Sequence, residues 1–253
     1  NNWFMMYFLS VVLIGTVYPI FLDVISSQKI SVGPPFYHKL IIPFLVPFLL
    51  MMAIGPKLRW IKSHLEDKIY LISFFIISIL LAYYVLKNFN QDILTNTILI
   101  SSALYLFFIT IRDFFIKKYK NISQNIAHFG FSLLILSILL NNLFSDEIIT
   151  NLKVGETFEN SKTKIVFESI DQKNEKNYSA IIANFLIRNS KGEEDSLSPE
   201  LRIYNQPTIA TSEADIKTNL LTDKFIVINL VQNQDYFNVR YQVKPFMLWI
   251  WLS

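Results

Sequence analysis

The chain changes character directly after the stretch NIAHFGFSLLILSILLNNL (125–143), where the acidic segment FSDEIITNL (144–152) begins. A bilayer core of about 30 Å requires about 20 apolar residues per helix, and 125–143 meets that length. Four earlier runs do so as well, at 3–22, 39–55, 69–86 and 94–112. The sequence therefore predicts a polytopic α-helical membrane protein with a five-transmembrane-helix bundle over 1–143.

The charged residues separate into two parts of the chain. They make up only 17% of all residues, against about 25% in soluble domains. Of the 20 acidic residues, 5 lie in 1–143 and 15 lie in 144–245. One soluble core would not separate in this way, so we predict a membrane part and an aqueous part. The net charge of +3 then belongs to membrane loops and does not indicate nucleic-acid binding.

Basic residues are concentrated in alternate loops between the predicted helices. The loops 56–68 and 112–120 each contain four lysines or arginines, whereas 23–38 and 87–93 contain one each. Loops rich in lysine and arginine stay on the cytoplasmic side of a membrane. Five spans then place the first residues inside the cell and the domain 144–245 outside the cytoplasm.

Residues 144–245 are typical of an antiparallel β domain. Apolar and polar residues alternate over 164–170, 180–187, 225–230 and 236–243, which predicts strands of a small sandwich or barrel. Turns are predicted over 174–177 and 189–192, where asparagine, lysine and glycine are frequent. Glu213 and Asp215 are expected on one face of a further strand.

The last residues, 246–253, are apolar again and include two tryptophans. We interpret them as the start of a further transmembrane helix that is truncated in this chain. The chain is therefore expected to be one portion of a longer protein, either cut short or naturally divided.

Several common chemistries lack their sequence signatures. The chain contains no cysteine, which excludes disulfides, thiol exchange and thiolate metal sites within it. It contains no phosphate-binding loop, no G-x-S-x-G and no H-E-x-x-H motif. Two of its three histidines have ordinary interpretations: His38 as an interfacial residue and His64 as a solvated loop residue.

His128 differs from the other two histidines because it lies one turn inside the fifth predicted span. An ionisable side chain within a span is costly, so it normally faces a partner or a cavity. Its helical face continues through Phe131, Ser132 and Ile135, and the small Ser132 leaves room beside it. A neutral imidazole is a good axial ligand for haem iron. Haem ligation, hydrogen bonding between helices and proton relay all remain open on this evidence.

Four short motifs occur in the same order as in a known family. They are ISVGPPF (30–36), IGPKLRW (54–60), AHFG (127–130) and KPF with WIW (244–251). The stretch from Tyr204 to Ile216 is a further likeness. The chain resembles the C-terminal part of the CcmF family, the haem lyase component of bacterial-type cytochrome c maturation, over nearly all of its length.

This resemblance implies a cytochrome c-type biogenesis function. Proteins of that kind attach haem covalently to apocytochrome c on the periplasmic side of the bacterial inner membrane. The implied partners are a haem chaperone, apocytochrome c and other cytochrome c maturation membrane proteins. The resemblance also implies that the bundle holds a haem b, and His128 matches one of its two axial iron ligands. No catalytic residue is assigned in this chain.

The chain lacks two features of the family pattern. A tryptophan-rich segment with a W-W-x-D motif is absent, and the second haem b ligand belongs to the N-terminal part of the family. A complete active site is therefore not expected here. A related lyase for nitrite-reductase-type cytochromes is an alternative function. A membrane transporter with an outer β domain and a scaffold without haem are alternatives of other classes.

Overall fold

The protein is described by a computed structural model that covers residues 2–26, 30–57, 68–87, 89, 93–116, 122–190, 192–231 and 235–253. Within these ranges, five helices are long and apolar enough to cross a membrane. They are α1 (Asn2–Ser26), α2 (Pro34–Ile54), α3 (Lys68–Leu86), α4 (Ile93–Ile116) and α5 (Ile122–Phe144). The five predicted spans are confirmed.

Helix α2 begins earlier than the apolar run that predicted it. The loop placed over 23–38 is short, because α1 reaches Ser26 and α2 starts at Pro34. Gly33 has an extended backbone, and Pro34 and Pro35 occupy the first helical positions. Proline suits these positions because the missing N–H would have no partner there and its φ angle is already helical. The two prolines therefore start the helix instead of continuing the loop.

Helix α4 is the central helix of the bundle. Nine of its residues are buried, whereas only Val11 and Gly15 are buried in α1. The buried residues of α4 include Ser101, Ser102 and Thr110, whose hydroxyl groups bond to carbonyl oxygens one turn earlier. Small hydroxyl residues satisfy their own polar groups in this way and let neighbouring membrane helices approach closely.

The C-terminal half is a β-sandwich made of two antiparallel sheets. One sheet has the strand order β1-β10-β9-β8, and the other has the order β2-β3-β4-β6-β7 with β5 paired to β4. The strands are β1 (Asp146–Leu152), β2 (Thr157–Glu159), β3 (Thr163–Asn174), β4 (Tyr178–Asn189), β5 (Glu194–Leu197), β6 (Glu200–Asn205), β7 (Thr208–Glu213), β8 (Asp215–Thr218), β9 (Thr222–Leu230) and β10 (Phe237–Pro245). A short helix, α6 (Met247–Leu252), follows β10.

The sandwich core is formed by alternate residues of both sheets. Ile226, Ile228 and Val239 come from one sheet, and Phe167 and Phe185 come from the other, all fully buried. The two phenylalanine rings stack with centroids 4.4 Å apart. The predicted strands over 164–170, 180–187, 225–230 and 236–243 correspond to β3, β4, β9 and β10. The alternation of apolar residues thus identified the longest strands, because these bury one face.

The chain passes from one sheet to the other at Ala214, which corrects one expectation. Glu213 ends β7 and pairs with Glu200 in the larger sheet, whereas Asp215 starts β8 and pairs with Ile226 in the smaller sheet. The prediction that both acids lie on one strand is therefore wrong. Asp215 also accepts a hydrogen bond from the Ser198 backbone N–H at 2.6 Å, which holds the chain where it crosses.

The chain divides into two compact units, one up to Leu136 with Ser253 and the other from Ser137 to Leu252. The division falls within α5, so the last two turns of that helix belong with the sandwich. Asn141 in these turns donates from its side-chain amide to the carbonyl oxygen of Pro245 at 2.5 Å. This bond ties the end of α5 to the end of β10.

Candidate functional site

Polar side chains converge at the end of the bundle where α2 and α4 end and where α3 and α5 begin. We define the helix-end cluster as Lys57, Tyr70, Arg112, Asp113 and Asn125. Lys57 forms an ion pair with Asp113, and both side chains are largely buried. The Arg112 guanidinium lies 3.8 Å from the Asp113 carboxylate and 3.5 Å from the centre of the Tyr70 ring. The cluster therefore joins four chain segments by charged contacts.

Helix α5 enters this cluster through Asn125, whose amide donates to the Asp113 carbonyl oxygen at 3.5 Å. His128 lies one turn further along α5 and is half-buried. Helix α5 begins at Ile122, so His128 lies nearly two turns inside the helix, between the helix-end cluster and the apolar part of α5.

The contacts around His128 fix how α5 lies against its neighbours. The Phe129 ring stacks near Phe107 of α4, with centroids 5.9 Å apart and planes inclined by 27°. The Ser132 and Thr110 hydroxyl oxygens lie 2.9 Å apart, within hydrogen-bond distance, and both residues are buried.

Next to Ser132 on α5, Phe131 meets Phe48 of α2 edge to face at 5.9 Å. Phe131 and Ser132 are the residues three and four positions after His128, so they share its helical face. That face is therefore directed at α2 and α4, and the room expected beside Ser132 is taken up by the contact with Thr110.

The residues around His128 fit one axial position of a haem. A porphyrin supplies four nitrogen ligands to its iron, so one or two protein side chains complete the coordination. An unprotonated imidazole on an apolar helix has the right chemistry for this. In the described parts of the chain, no group of three or more histidine, cysteine or acidic side chains could hold a bare metal ion. Ligation of a haem iron by His128 stays a prediction, which rests on the chemistry of a neutral imidazole.

One described cavity, of about 280 Å³, lies between α2, α3 and α4. It is lined by apolar side chains such as Phe75 and Ile79 and by the polar residues Thr97, Ser101 and Ser102. His128 does not line it. Of the other histidines, His38 is exposed in the second turn of α2, and His64 lies outside the described residues. The structure therefore does not bring His38 to His128.

A second polar group lies inside the β-sandwich, and the sequence analysis missed it. We define the buried ion cluster as Asp195 and Lys224, together with the exposed Lys217, which reaches Asp195 from the surface. The Asp195 carboxylate receives one hydrogen bond from each lysine ammonium, both at 2.6 Å. Asp195 and Lys224 are each only 7% exposed. Burial by itself would raise the pKa of Asp195, but the two ammonium groups outweigh burial and hold it below the usual value.

Tyr241 lies in the same core and is almost fully buried. Its hydroxyl group has no hydrogen-bond partner among the residues that the structure describes. Burial raises the pKa of Tyr241 to about 12, and the negative charges of Asp195 and Asp146 add to this effect. The phenol is therefore neutral at physiological pH.

The signal for the buried ion cluster was present in the sequence as alternation. Lys224 is in phase with Ile226 and Ile228 on β9, and Asp195 is in phase with Leu197 on β5. Residues two apart on a strand point to the same face. Extending the predicted strand 225–230 back by one residue would have placed Lys224 inside and required an acidic partner.

Comparison with known proteins relates this arrangement to one family. Residues 143–245 match the family model described as the CcmF C-terminal beta-sandwich. The chain is 28% identical over 271 residues to the cytochrome c-type biogenesis protein CcmF of Pseudomonas fluorescens, covering 100% of the chain and 40% of that relative. It is 25% identical to CcmF of Haemophilus influenzae, covering 100% and 42% respectively.

A solved structure named Cytochrome c Heme Lyase CcmF has the same fold. It superimposes with a TM-score of 0.70 at 20% identity, over 99% of this chain and 42% of that one. The chain is similar over its whole length to the C-terminal region of CcmF proteins. It corresponds to the family's C-terminal region and spans about 40% of the length of the curated relatives that it matches.

The similarity to CcmF proteins indicates the general class of this chain. It is a multi-pass membrane protein and a distant homologue of cytochrome c-type biogenesis proteins. The proteins called NrfE and CycK match it as well. The resemblance seen in the sequence motifs is therefore confirmed at the level of the family.

Proposed function

We propose that this chain is the C-terminal portion of a haem lyase subunit that attaches haem to apocytochrome c. The observation that carries the proposal is the alignment of the whole chain, bundle and sandwich together, with CcmF proteins. The apolar bundle with an imidazole inside a span supports it independently. The chain is one part of the machinery, because its relatives are more than twice as long.

In this proposal His128 holds a haem b through an imidazole nitrogen. A bound haem b would supply one-electron redox chemistry within the membrane. The neighbouring residues orient the ligand: Ser132 against Thr110 sets the rotation of α5, and Phe131 against Phe48 sets its distance from α2. The helix-end cluster pairs its charged groups with one another on one side of His128.

The basic loops support an orientation with the β-sandwich in the periplasm of a bacterial cell. Four lysines or arginines in each of the loops 56–68 and 112–120 favour the cytoplasmic side. The sandwich is then available to a haem chaperone, to apocytochrome c and to other maturation proteins. We infer that it takes part in binding them. Unchanged binding of both partners by a full-length protein that lacks residues 146–243 would contradict this role.

Replacing His128 with alanine in the full-length protein tests the ligand assignment. We expect the b-type band in the reduced-minus-oxidised visible spectrum to be lost, together with one haem per protein by haem extraction. His38→Ala is the matched control, because His38 is exposed on α2, and it should keep both signals. An unchanged band in the His128 variant would remove the haem b role, while leaving the similarity to CcmF proteins intact.

A lyase for nitrite-reductase-type cytochromes is the second candidate, because NrfE of Haemophilus influenzae matches 94% of the chain. Complementation distinguishes the two: the full-length protein is expressed in strains that lack either the general lyase or the nitrite-reductase-type lyase. We expect general c-type cytochromes to be restored. Restoration of the nitrite-reductase-type cytochrome alone would favour the second candidate.

A further inference from the structure

The strand register brings one edge of the sandwich to the membrane. Helix α5 ends at Phe144, and β1 starts two residues later at Asp146. Asp146 pairs with Val243 of β10, and Pro245 at the end of β10 pairs with Thr222 at the start of β9. The Pro245–Thr222 pair lies two residues beyond the Asp146–Val243 pair, at the same end of the sheet as the end of α5. We call this end the membrane-proximal edge. The connection between β8 and β9 leaves the sheet at this same edge.

The tip of the β8–β9 hairpin presents two leucines to its surroundings. The turn is closed by the Asn219 N–H, which donates to the Thr222 carbonyl oxygen at 2.9 Å. Leu220 and Leu221 lie between them and are 73% and 62% exposed. Tight turns usually carry glycine, asparagine, aspartate or serine, because these residues suit the backbone and face water. Exposing two adjacent leucines of a turn to water is unfavourable, so we expect an apolar surrounding for them.

The backbone of the tip is attached to the apolar segment that follows the sandwich. The Phe246 N–H donates to the Leu221 carbonyl oxygen at 2.7 Å, and the Trp249 indole N–H donates to the Leu220 carbonyl oxygen at 2.9 Å. Tryptophan is enriched at the boundary between lipid and water, where its ring is in the apolar layer and its N–H is satisfied. The tip is thus held level with a residue of the membrane boundary.

Lateral distance also places the tip close to a membrane helix. Neighbouring strands lie about 4.8 Å apart, and β9 is two strands away from β1. The tip therefore lies on the order of 10 Å from the point where α5 leaves the bilayer. This is about one helix diameter, so the surface next to the tip is the same boundary that α5 crosses.

We propose that Leu220 and Leu221 insert into the bilayer leaflet that α5 leaves at Phe144. Their side chains contact phospholipid acyl chains, and the β8–β9 hairpin becomes an attachment of the sandwich to lipid in addition to its covalent connection through α5. The attachment restrains the sandwich against tilting on the bilayer surface. This inference depends on α5 as a membrane span and not on haem binding.

The absence of cysteine in the chain makes a direct test possible. Single-cysteine variants Leu220→Cys and Leu221→Cys in the full-length protein, with any cysteine elsewhere in it replaced, are labelled with an environment-sensitive fluorophore. The labelled proteins are placed in lipid vesicles that contain phospholipid with brominated acyl chains. Leu230→Cys is the matched control. Leu230 is exposed like the two leucines of the tip, but it lies at the far end of β9, about 30 Å from the tip.

We expect blue-shifted emission and strong quenching by the brominated lipid for labels at 220 and 221. The label at 230 should emit as in water and should not be quenched. Emission at 220 and 221 equal to that at 230 would overturn the proposal, because the tip would then be in water. Blue-shifted emission without quenching would also overturn it, because protein and not lipid would then cover the tip. Neither outcome bears on the lyase function, which the His128 spectrum tests separately.

Discussion

Replacing Asp195 with asparagine is expected to destabilise the β-sandwich strongly. The substitution keeps the shape of the side chain and removes the negative charge that lies 2.6 Å from the ammonium groups of Lys217 and Lys224. Lys224 is then a buried cation whose nearest remaining carboxylate is the exposed Glu193, at 3.9 Å. Removing one partner of a buried ion pair costs about 3–5 kcal/mol. We expect the lower end, about 3 kcal/mol, because Glu193 compensates in part.

Glu194→Gln is the matched control for this variant. Glu194 is the neighbouring residue on the opposite face of β5, and it pairs with Arg188 at 2.7 Å. Both side chains of that pair are about half exposed. Exposed ion pairs contribute about 0–1 kcal/mol, since water screens them and side-chain entropy opposes them. The two variants remove the same charge at adjacent positions and differ mainly in burial.

Thiol labelling of a buried cysteine measures the opening of the sandwich. A single cysteine replaces Val239, which is fully buried on β10, and it reacts only when the core opens. A loss of 3 kcal/mol corresponds to a labelling rate about 150-fold higher, because 1.36 kcal/mol is a factor of ten. The Glu194 variant should label at most about 5-fold faster. Equal labelling rates for the two variants would refute the reasoning that burial makes the ion pair of Asp195 more stabilising than the exposed ion pair of Glu194.

The effect of Asp195 should depend on pH in a defined direction. The folded-state pKa of Asp195 is lower than that of a free aspartate, which is about 3.9. Its contribution to stability is therefore complete above the unfolded value and is lost as the pH falls through the folded value. We expect the labelling rate of the variant divided by that of its parent to be constant from pH 7 to about pH 5 and to fall towards 1 below about pH 4. A pyridyl disulfide is a suitable reagent because it also reacts in acid.

Two further predictions concern the helix contact and the buried phenol. Ser132→Leu should displace α5, because overpacking a buried contact costs about 1–3 kcal/mol. The leucine variant should therefore lose the haem band, whereas the control Ser132→Ala should keep it. A full haem band in the leucine variant would contradict this. Tyr241→Phe should stabilise the sandwich by about 1 kcal/mol in the same labelling assay, since it removes a buried hydroxyl without a partner. Between pH 10 and about 12 the phenol loses its proton in the unfolded chain before it does so in the folded chain. The parent should therefore lose stability in this range, and the phenylalanine variant should not. Equal dependence of stability on pH in the two proteins would be inconsistent with a raised pKa of Tyr241.

The sequence predicted the membrane helices and the long strands for a local reason. A helix that crosses a bilayer is apolar over about 20 consecutive residues, whatever it packs against. A strand with one buried face alternates, as β4 and β10 do, whatever its partner strand is. Both signals depend on the contrast between water and an apolar phase, which each segment meets on its own. The four predicted strands and five predicted spans are therefore found in the structure.

The passage of the chain from one sheet to the other at Ala214 could not be predicted from the sequence pattern. The residues around it keep an extended backbone, and nothing in the alternation distinguishes one sheet from the other. Only the partner strands decide, since Glu213 faces Glu200 and Asp215 faces Ile226. The apolar run 125–143 likewise placed His128 in a span, and the family motifs implied its role, but neither showed which residues surround it.

What the sequence by itself determined is which surfaces of this chain avoid water: the five helices and the inner faces of the long strands. The tertiary structure alone decided which groups meet. Asp195 and Lys224 are 29 residues apart, and Lys57 and Asp113 are 56 apart, yet each pair is in contact. The physical reason is that burial is a property of single residues, whereas an ion pair or a membrane-proximal edge depends on distances that only the folded chain creates.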